Sequence, residues 1–175
     1  MPNAQKACCE RSEANPKMTE PRKEFKILVV CTGNSCRSPL AAALLRLELA
    51  GLAVKVESAG IAAQPGAPAS ALAQQAGAEL GVDISNHQAQ AVDPEMLNRA
   101  DLILVMESGH RDRLIQLAPA AGPKIKLLGG YPDREIEIAD PLGKSIEFYR
   151  QTALLLKAGV LRVVREIRAR MQQDL

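Results

Sequence analysis

Short runs of consecutive apolar residues, each bounded by polar or glycine-containing segments, constrain the fold of this chain more than any other feature. The clearest run is Ile27 to Val30, and Leu102 to Met106 is equally apolar. Apolar residues at every position are typical of a parallel strand that is covered on both faces. We therefore predict buried strands at these two runs, with shorter strands at Val54 to Ser58 and Ile125 to Leu128.

Segments with helical spacing alternate with these strands. They cover residues 39–50, 69–80, 94–99, 108–117 and 145–172. The alternation predicts a three-layer α/β fold, in which helices cover both faces of about four parallel strands and the crossovers are right-handed. The 175 residues suffice for one such domain, predicted over 25–175. Residues 1–24 are polar and mixed in charge, and we predict a disordered extension there.

The net charge and the cysteines narrow the classes of function. The chain has 22 Lys and Arg residues and 20 Asp and Glu residues. The resulting net charge of +2 is too small to attract a nucleic acid, so we predict no nucleic-acid partner. The four cysteines, Cys8, Cys9, Cys31 and Cys36, all lie early in the chain and offer no disulfide framework, which favours a cytoplasmic setting. No secretory signal or membrane-spanning run is evident, so we expect no membrane partner and a soluble monomer or weak dimer.

The segment CTGNSCRS, from Cys31 to Ser38, joins the first predicted strand to the first predicted helix. At such a junction, backbone amides and a helix N-terminus converge on an anion. These surroundings also favour a cysteine thiolate, so we predict that Cys31 is a nucleophile. The planar guanidinium of Arg37 is suited to two phosphate oxygens, and Ser38 to the departing sulfur. The predicted phosphate-binding residues are Thr32, Gly33, Asn34, Ser35, Cys36, Arg37 and Ser38.

This segment resembles the loop of the low-molecular-weight protein tyrosine phosphatase family, which includes the bacterial protein arginine phosphatases. The resemblance covers about residues 26–170. Its further segments, in the family's order, are Val56 to Gly60, Gly81 to His87, Ala100 to Glu107 and Asp140-Pro141. The resemblance implies a three-layer α/β fold with a phosphate loop after the first strand. It also implies a phosphocysteine intermediate, a phosphorylated protein as substrate, and no metal or other cofactor.

The resemblance also implies roles for residues outside the loop. Hydrolysis of a phosphate ester needs a proton for the leaving oxygen and later a base for water, and Asp140 matches the family's general acid. Asn34 would adopt a left-handed conformation, a backbone region that asparagine tolerates, and it would be held by Ser38, Ser58 and His87. These contacts would stiffen the phosphate loop.

The remaining cysteines and histidines have weaker signals. Cys36 matches a position at which the family can form a reversible disulfide with the nucleophile, but a role in packing alone remains open. Cys8 and Cys9 have no second ligand pair, and neither His87 nor His110 has metal-ligand spacing to another His or Cys. We therefore predict no metal site.

The substrate preference is open between phosphotyrosine and phosphoarginine. Leu142 and Gly143 stand where the family usually has aromatic rings, which weakens stacking on phosphotyrosine, although Tyr131 could still supply an aromatic wall. Ser35 stands where tyrosine phosphatases typically have a branched apolar residue and arginine phosphatases have Thr. Residues 140–145 also resemble the arginine branch. We place phosphotyrosine first, as the broader family activity, and phosphoarginine directly after it.

Two other classes of function share the loop. Thioredoxin-coupled arsenate reductases need two further cysteines after the third strand, whereas no cysteine follows Cys36 and only Cys8 and Cys9 remain. A phosphate-binding protein without catalysis usually lacks the nucleophile or the acid, and this chain has both. We therefore favour the phosphatase over the reductase and the binding protein.

Overall fold

The computed structural model describes residues 24–173 and contains a parallel four-stranded sheet in the order β2-β1-β3-β4. The strands are β1 (Phe25–Cys31), β2 (Val54–Gly60), β3 (Leu102–Val105) and β4 (Ile125–Leu127). The helices are α1 (Arg37–Glu48), α2 (Ala71–Glu79), α3 (Pro94–Arg99), α4 (Ser108–Leu117) and α5 (Ile146–Gln173). Short 3-10 helices occupy Pro119–Lys124 and Leu128–Gly130. The predicted α/β class and its parallel sheet are confirmed.

The central strand β1 is apolar at consecutive positions because both of its faces are covered. Ile27 and Val29 pack in a core with residues of α1, α2 and α5, whereas Leu28 and Val30 pack in a second core with residues of α3 and α4. All four side chains are at most 2% exposed. Successive side chains of a strand point to opposite faces, so two helical layers require an unbroken apolar run.

The predicted elements differ from the observed ones mainly at their ends. Helix α1 begins at Arg37 rather than Pro39, and this proline lies within its first turn, where its missing N–H would have no helical partner. Strand β2 continues to Gly60 because Ala59 and Gly60 pair with the end of β1. The 3-10 helix at Pro119–Lys124 was not predicted, since its sequence PAAGPK has no apolar periodicity.

Part of the predicted domain organisation concerns residues beyond 24–173. The predicted disordered extension, with Cys8 and Cys9, lies outside the described residues except for Glu24, and the boundary at residue 25 stays a prediction. Among the helices of residues 24–173, none combines the length and the apolar character that crossing a membrane requires.

Candidate active site

The segment between β1 and α1, called the 31–37 loop below, is tied to neighbouring segments by its carbonyl groups. The carbonyl of Cys31 accepts a hydrogen bond from the Ile61 amide at 3.0 Å, and that of Thr32 accepts one from the Ala62 amide at 2.9 Å. These two bonds extend the pairing of β1 and β2 beyond the ends of the strands. The start of the loop is therefore fixed by backbone hydrogen bonds of the same kind as those within the sheet.

The remainder of the loop is tied in the same way to segments farther along the chain. The Asn34 carbonyl accepts from the His87 ring, with Nε2 2.7 Å from the oxygen. The Ser35 carbonyl accepts from the Ser70 amide at 2.8 Å. The carbonyl of Cys36 is used within α1, where it accepts from the Leu40 amide at 3.2 Å.

The carbonyls that are bonded to these neighbouring segments determine the direction of the amide N–H groups in the loop. In a planar trans peptide, the C=O of one residue and the N–H of the next point in opposite directions. The bonded carbonyls therefore turn the N–H groups of the following residues toward the other side of the loop, at the N-terminus of α1. These residues are Thr32, Gly33, Ser35, Cys36 and Arg37. Amides that converge at a helix N-terminus form a binding concavity for an anion.

Asn34 supports the loop from within. Its φ of 52° is left-handed, as predicted. The side-chain Nδ2 donates to Ser38 Oγ at 2.9 Å and to Ser58 Oγ at 3.0 Å, and Oδ1 accepts from the Gln90 amide at 2.9 Å. The predicted contacts of Asn34 with Ser38, Ser58 and His87 are thus confirmed, whereas Gln90 was missed. All polar atoms of this buried side chain are satisfied, which fixes the curvature of the loop.

Cys31 lies at the carboxyl end of β1 with its sulfur beside a hydroxyl group. Its Sγ is 2.9 Å from Ser38 Oγ, and both side chains are buried. Ser38 Oγ also lies 3.3 Å from the Ala59 carbonyl, so its hydrogen can be directed to either acceptor. A thiolate has no hydrogen to donate, and the hydroxyl of Ser38 would then donate to it. The predicted contact of Ser38 with the cysteine sulfur is present.

Arg37, the last residue of the same loop, is buried, with only 1% of its side chain exposed. Its Nη1 donates to the Ile138 carbonyl at 2.9 Å and to the Glu107 carboxylate. Its Nη2 donates to the Asp140 carboxylate and lies 3.4 Å from Thr32 Oγ1. The fold therefore brings the predicted arginine and the predicted acid into direct contact, although 103 positions separate them.

The Asp140 carboxyl group is held at the mouth of the site by its own turn. Its Oδ1 accepts from the Leu142 amide at 3.1 Å, while Oδ2 faces Arg37. About a third of the side chain, 38%, remains exposed. A carboxyl group that is oriented by the backbone and open to solvent is able to exchange a proton with a substrate or with water.

Two further residues at this site were missed as functional candidates. Glu107, which follows β3, pairs with Arg37. His110 is 3% exposed, and its Nε2 lies 2.9 Å from Thr32 Oγ1. The position of Glu107 carried a usable signal, because ligand-binding residues of parallel sheets cluster at the carboxyl ends of the strands. For His110, which comes later in α4, no such pattern was available.

The titratable groups around the loop differ in their electrostatic surroundings. Burial raises the pKa of the Cys36 thiol to about 12, and the nearby Cys31 and Asp140 add to this effect while Arg37 opposes it. Burial lowers the pKa of His87 and of His110 below the usual value for histidine. Cys31 and Cys36 are both free thiols. Across residues 24–173, no group of three or more His, Cys, Asp and Glu side chains is arranged for a metal ion.

The expectation that Tyr131 forms an aromatic wall at the site is wrong. Tyr131 is 4% exposed and lines a cleft with Asp101 and Leu102, at the amino-terminal end of β3. The 31–37 loop lies at the opposite end of the sheet. Burial and a hydrogen bond with Glu166 raise the pKa of the Tyr131 hydroxyl. The 3-10 helix Leu128–Gly130 directly follows β4 and separates it from Tyr131, and the sequence pattern did not predict this helix.

Comparisons with known proteins agree on one family. Residues 26–173 match the family model described as low molecular weight phosphotyrosine protein phosphatase. The chain is similar to a probable low molecular weight protein-tyrosine-phosphatase, EpsP, of Ralstonia nicotianae, with 42% identity over 82% of this chain and 96% of that protein.

Two solved structures are similar to this chain across nearly their whole length. YwlE arginine phosphatase from Geobacillus stearothermophilus has a TM-score of 0.80 and 35% identity, covering 86% of this chain and 97% of that one. Vibrio vulnificus Wzb, solved in complex with benzylphosphonate, has a TM-score of 0.76 and 37% identity, covering 82% of this chain and 99% of that one. The likeness thus includes one structure named for arginine phosphatase and one that holds a phosphonate.

Proposed function

The chain belongs to the low molecular weight phosphotyrosine protein phosphatase family, and from that premise we propose that Cys31, Arg37 and Asp140 are the residues with which it hydrolyses a phosphorylated protein. The observation that carries the assignment is the orientation of the 31–37 loop. Its bonded carbonyls turn five amides toward the inner side of the loop, at the N-terminus of α1, and the Arg37 guanidinium contacts Thr32 of the same loop.

In the first step, the Cys31 thiolate attacks phosphorus and forms a sulfur–phosphorus bond. The bond from phosphorus to the leaving atom breaks, and that atom, the phenolic oxygen of phosphotyrosine or the guanidine nitrogen of phosphoarginine, receives the proton of the Asp140 carboxylic acid. Arg37 and the loop amides bind the remaining phosphoryl oxygens, whose charge is distributed in the transition state. The contact between the side chains of Arg37 and Asp140 supports this proposal.

In the second step, water attacks the phosphocysteine. Asp140, now a carboxylate, accepts a proton from that water, and the sulfur–phosphorus bond breaks. Sulfur leaves as a thiolate, and Ser38, whose hydroxyl lies 2.9 Å from it, donates a hydrogen bond to the developing negative charge. One carboxyl group therefore serves first as acid and then as base, and the enzyme returns to its starting protonation state.

Phosphotyrosine is the first candidate substrate, because the family model and the EpsP relative are both named for it. The four aromatic residues of the chain limit how such a substrate would be held. Tyr131 and Tyr149 are buried, and Phe25 is half-buried at the start of β1. Phe148, which is 53% exposed in the first turn of α5, is the aromatic side chain that we expect to contact the ring of a phosphotyrosine.

Phosphoarginine is the second candidate, and two observations favour it. Leu142, two residues after Asp140, is 67% exposed, so an aliphatic side chain rather than an aromatic ring stands beside the acid. Ser35 contributes a hydroxyl to the loop where a branched apolar residue is typical of tyrosine phosphatases. A guanidinium substrate has more hydrogen-bond donors than a phenol, and a hydroxyl can accept one of them. The likeness to YwlE arginine phosphatase supports the same candidate.

Hydrolysis of phosphotyrosine and phosphoarginine peptides of matched sequence tests the proposal directly. We expect release of phosphate from at least one of them, abolished in Cys31→Ser and reduced about 100-fold in Asp140→Asn, as loss of a general acid typically requires. Ser35→Val should shift the ratio of the two rates toward phosphotyrosine. Trapping of a phosphorylated Cys31 peptide by rapid acid quench would identify the intermediate.

Other outcomes would reject the proposal. Full activity in Cys31→Ser would remove the assigned nucleophile. Arsenate reduction coupled to thioredoxin, with no phosphate release from either peptide, would favour the reductase, and tight phosphopeptide binding without turnover would favour a binding protein. We also infer a reducing compartment, the cytoplasm, because the nucleophile must remain a free thiol; cell fractionation checks this.

A further inference from the structure

His110 is held in a single protonation form by its two contacts. Its Nδ1 lies 3.2 Å from the backbone nitrogen of Glu107, and its Nε2 lies 2.9 Å from Thr32 Oγ1. A backbone N–H can only donate, so Nδ1 must be the unprotonated nitrogen. In a neutral imidazole the hydrogen is then on Nε2, and it is donated to the Thr32 hydroxyl oxygen.

The contacts of Thr32 determine in turn what its hydroxyl is able to do. Oγ1 accepts from His110 Nε2 and faces Arg37 Nη2 at 3.4 Å. A hydroxyl has two lone pairs and one hydrogen, so two donors leave only its hydrogen free for a further partner. Thr32 is exposed, and its Oγ1 shares the Nη2 group of Arg37 with the Asp140 carboxylate, which places this hydrogen at the mouth of the loop.

We propose that His110 is a positioning residue, which fixes the Thr32 hydroxyl as a hydrogen-bond donor to an oxygen of the phosphoryl group under transfer. The inference rests on the proposed function, because it needs a phosphoryl group on Cys31. His110 itself touches neither the sulfur nor the substrate. A hydroxyl that is held in the donor orientation before substrate binds requires no reorganisation during the reaction.

The proposal includes a dependence on pH, because only neutral His110 has an unprotonated Nδ1. The charged groups that face His110 are Arg37, Glu107, Asp140 and Glu137. Burial and the charge of Arg37 lower the pKa of His110, and the three carboxylates offset only part of this decrease. His110 is therefore neutral at pH 7. Protonation of His110 below about pH 6.5 would place a hydrogen on Nδ1, opposite the N–H of Glu107. The ring would then have to move, and its hydrogen bond to the Thr32 hydroxyl would be lost.

A double-mutant cycle on hydrolysis of an aryl phosphate, such as p-nitrophenyl phosphate, tests the coupling between the two residues. We expect His110→Phe and Thr32→Val each to lower kcat about 10-fold, with KM changed less than two-fold. The double variant should be no slower than either single variant, because both remove the same hydrogen bond. Thr32→Ser, which keeps the hydroxyl, should retain activity close to that of the unmodified chain.

Two further variants separate positioning from a general loss of structure. His110→Gln keeps a donor near the position of Nε2 and cannot take up a proton near neutral pH. It should recover most of the activity that His110→Phe loses, and it should lack the decline below about pH 6.5 that depends on His110. Arg111→Gln, on the same helix but paired with the exposed Glu135, should behave as the unmodified chain does.

The outcomes distinguish this inference from the proposed function. If the unmodified chain releases no phosphate from any substrate, the proposed function fails. If it is active and the two single effects multiply in the double variant, or His110→Phe has unchanged kcat, the positioning role is rejected. Because Thr32 is exposed, Thr32→Val provides a folded variant even where His110→Phe loses stability.

Discussion

At the scale of single residues, two cysteines of the same loop have opposite chemical surroundings. The sulfur of Cys31 is beside the Ser38 hydroxyl, which is able to donate to a thiolate. Cys36 is part of the hydrophobic core, where burial, with Cys31 and Asp140 nearby, raises its pKa to about 12. Both side chains are at most 5% exposed, so the difference between them lies in their neighbouring groups rather than in access.

Alkylation at neutral pH is expected to modify Cys31 and to spare Cys36. The thiolate is the reactive form, and a thiol with a pKa of about 12 is almost entirely protonated at pH 7. Peptide mass spectrometry after brief treatment with iodoacetate measures both sites, and treatment in urea, where both should react, is the control. Faster modification of Cys36 in the folded protein would contradict the assignment of the nucleophile.

The sequence predicted some contacts of the site better than others. The contacts of Asn34 with Ser38, Ser58 and His87 followed from a resemblance that spans these segments. Glu107 and His110 lie 70 and 78 positions from their partners in the loop. No periodicity or spacing connects residues so far apart, because only the order and register of the strands bring them together. The error on Tyr131 has the same origin.

At the scale of elements, the end of β2 lies so close to the loop that only glycine fits there. A Cβ on Gly60 would be 2.6 Å from the Thr32 carbonyl oxygen and 2.8 Å from the Asn34 amide nitrogen. Both are backbone atoms, which cannot move away as the end of a side chain can. The width of the loop is thus set by the strand beside it.

Gly60→Ala is therefore expected to reduce turnover at least 10-fold and to lower the free energy of unfolding by about 2 kcal/mol, as overpacking against rigid atoms does. The matched control is Gly109→Ala in α4, where no atom lies within 4 Å of the added Cβ. That change should leave turnover intact and stabilise the helix by about 0.5 kcal/mol. Phosphate-release kinetics and urea unfolding measure the two effects. Equal outcomes for both variants would show that the close approach is unimportant.

The pattern of elements was the most predictable part of this protein. Each buried apolar run became a strand, and α3 and α4 have the predicted bounds. The ends of α1 and β2 differed because capping and strand pairing, which depend on neighbouring segments, decide where an element stops. The 3-10 helix at Pro119–Lys124 has few residues and two prolines, so its local pattern resembled a loop.

At the scale of the whole molecule, two histidines couple the stability of the fold to pH. His87 donates to the Asn34 carbonyl, and His110 donates to Thr32. Their pKa values are lowered in the folded protein, mainly by burial, whereas unfolded histidine titrates near pH 6.5. As the pH falls below about 6.5, the unfolded chain binds protons first. Its free energy therefore falls relative to that of the folded chain.

We expect the urea midpoint of unfolding to be constant between pH 7 and 8 and to decline as the pH falls from 6.5 to 5. A double variant, His87→Gln with His110→Gln, should have a smaller decline in this window because neither side chain can bind the proton. Intrinsic fluorescence is weak without tryptophan, so circular dichroism is the suitable probe. An identical pH dependence in the double variant would assign the decline to carboxyl groups instead.

Deuterium uptake offers a direct record of where an oxyanion is bound. The carbonyls of Cys31, Thr32, Asn34 and Ser35 accept hydrogen bonds from neighbouring segments, so the amide hydrogens on the inner side of the 31–37 loop depend on solvent or on a ligand. Vanadate or inorganic phosphate should therefore slow isotope exchange in a peptide that covers residues 32–37, while peptides from β4 and α5 keep their rates. The hydrogen bonds that hold the loop are formed without the ligand, so the slower exchange should be confined to the loop amides.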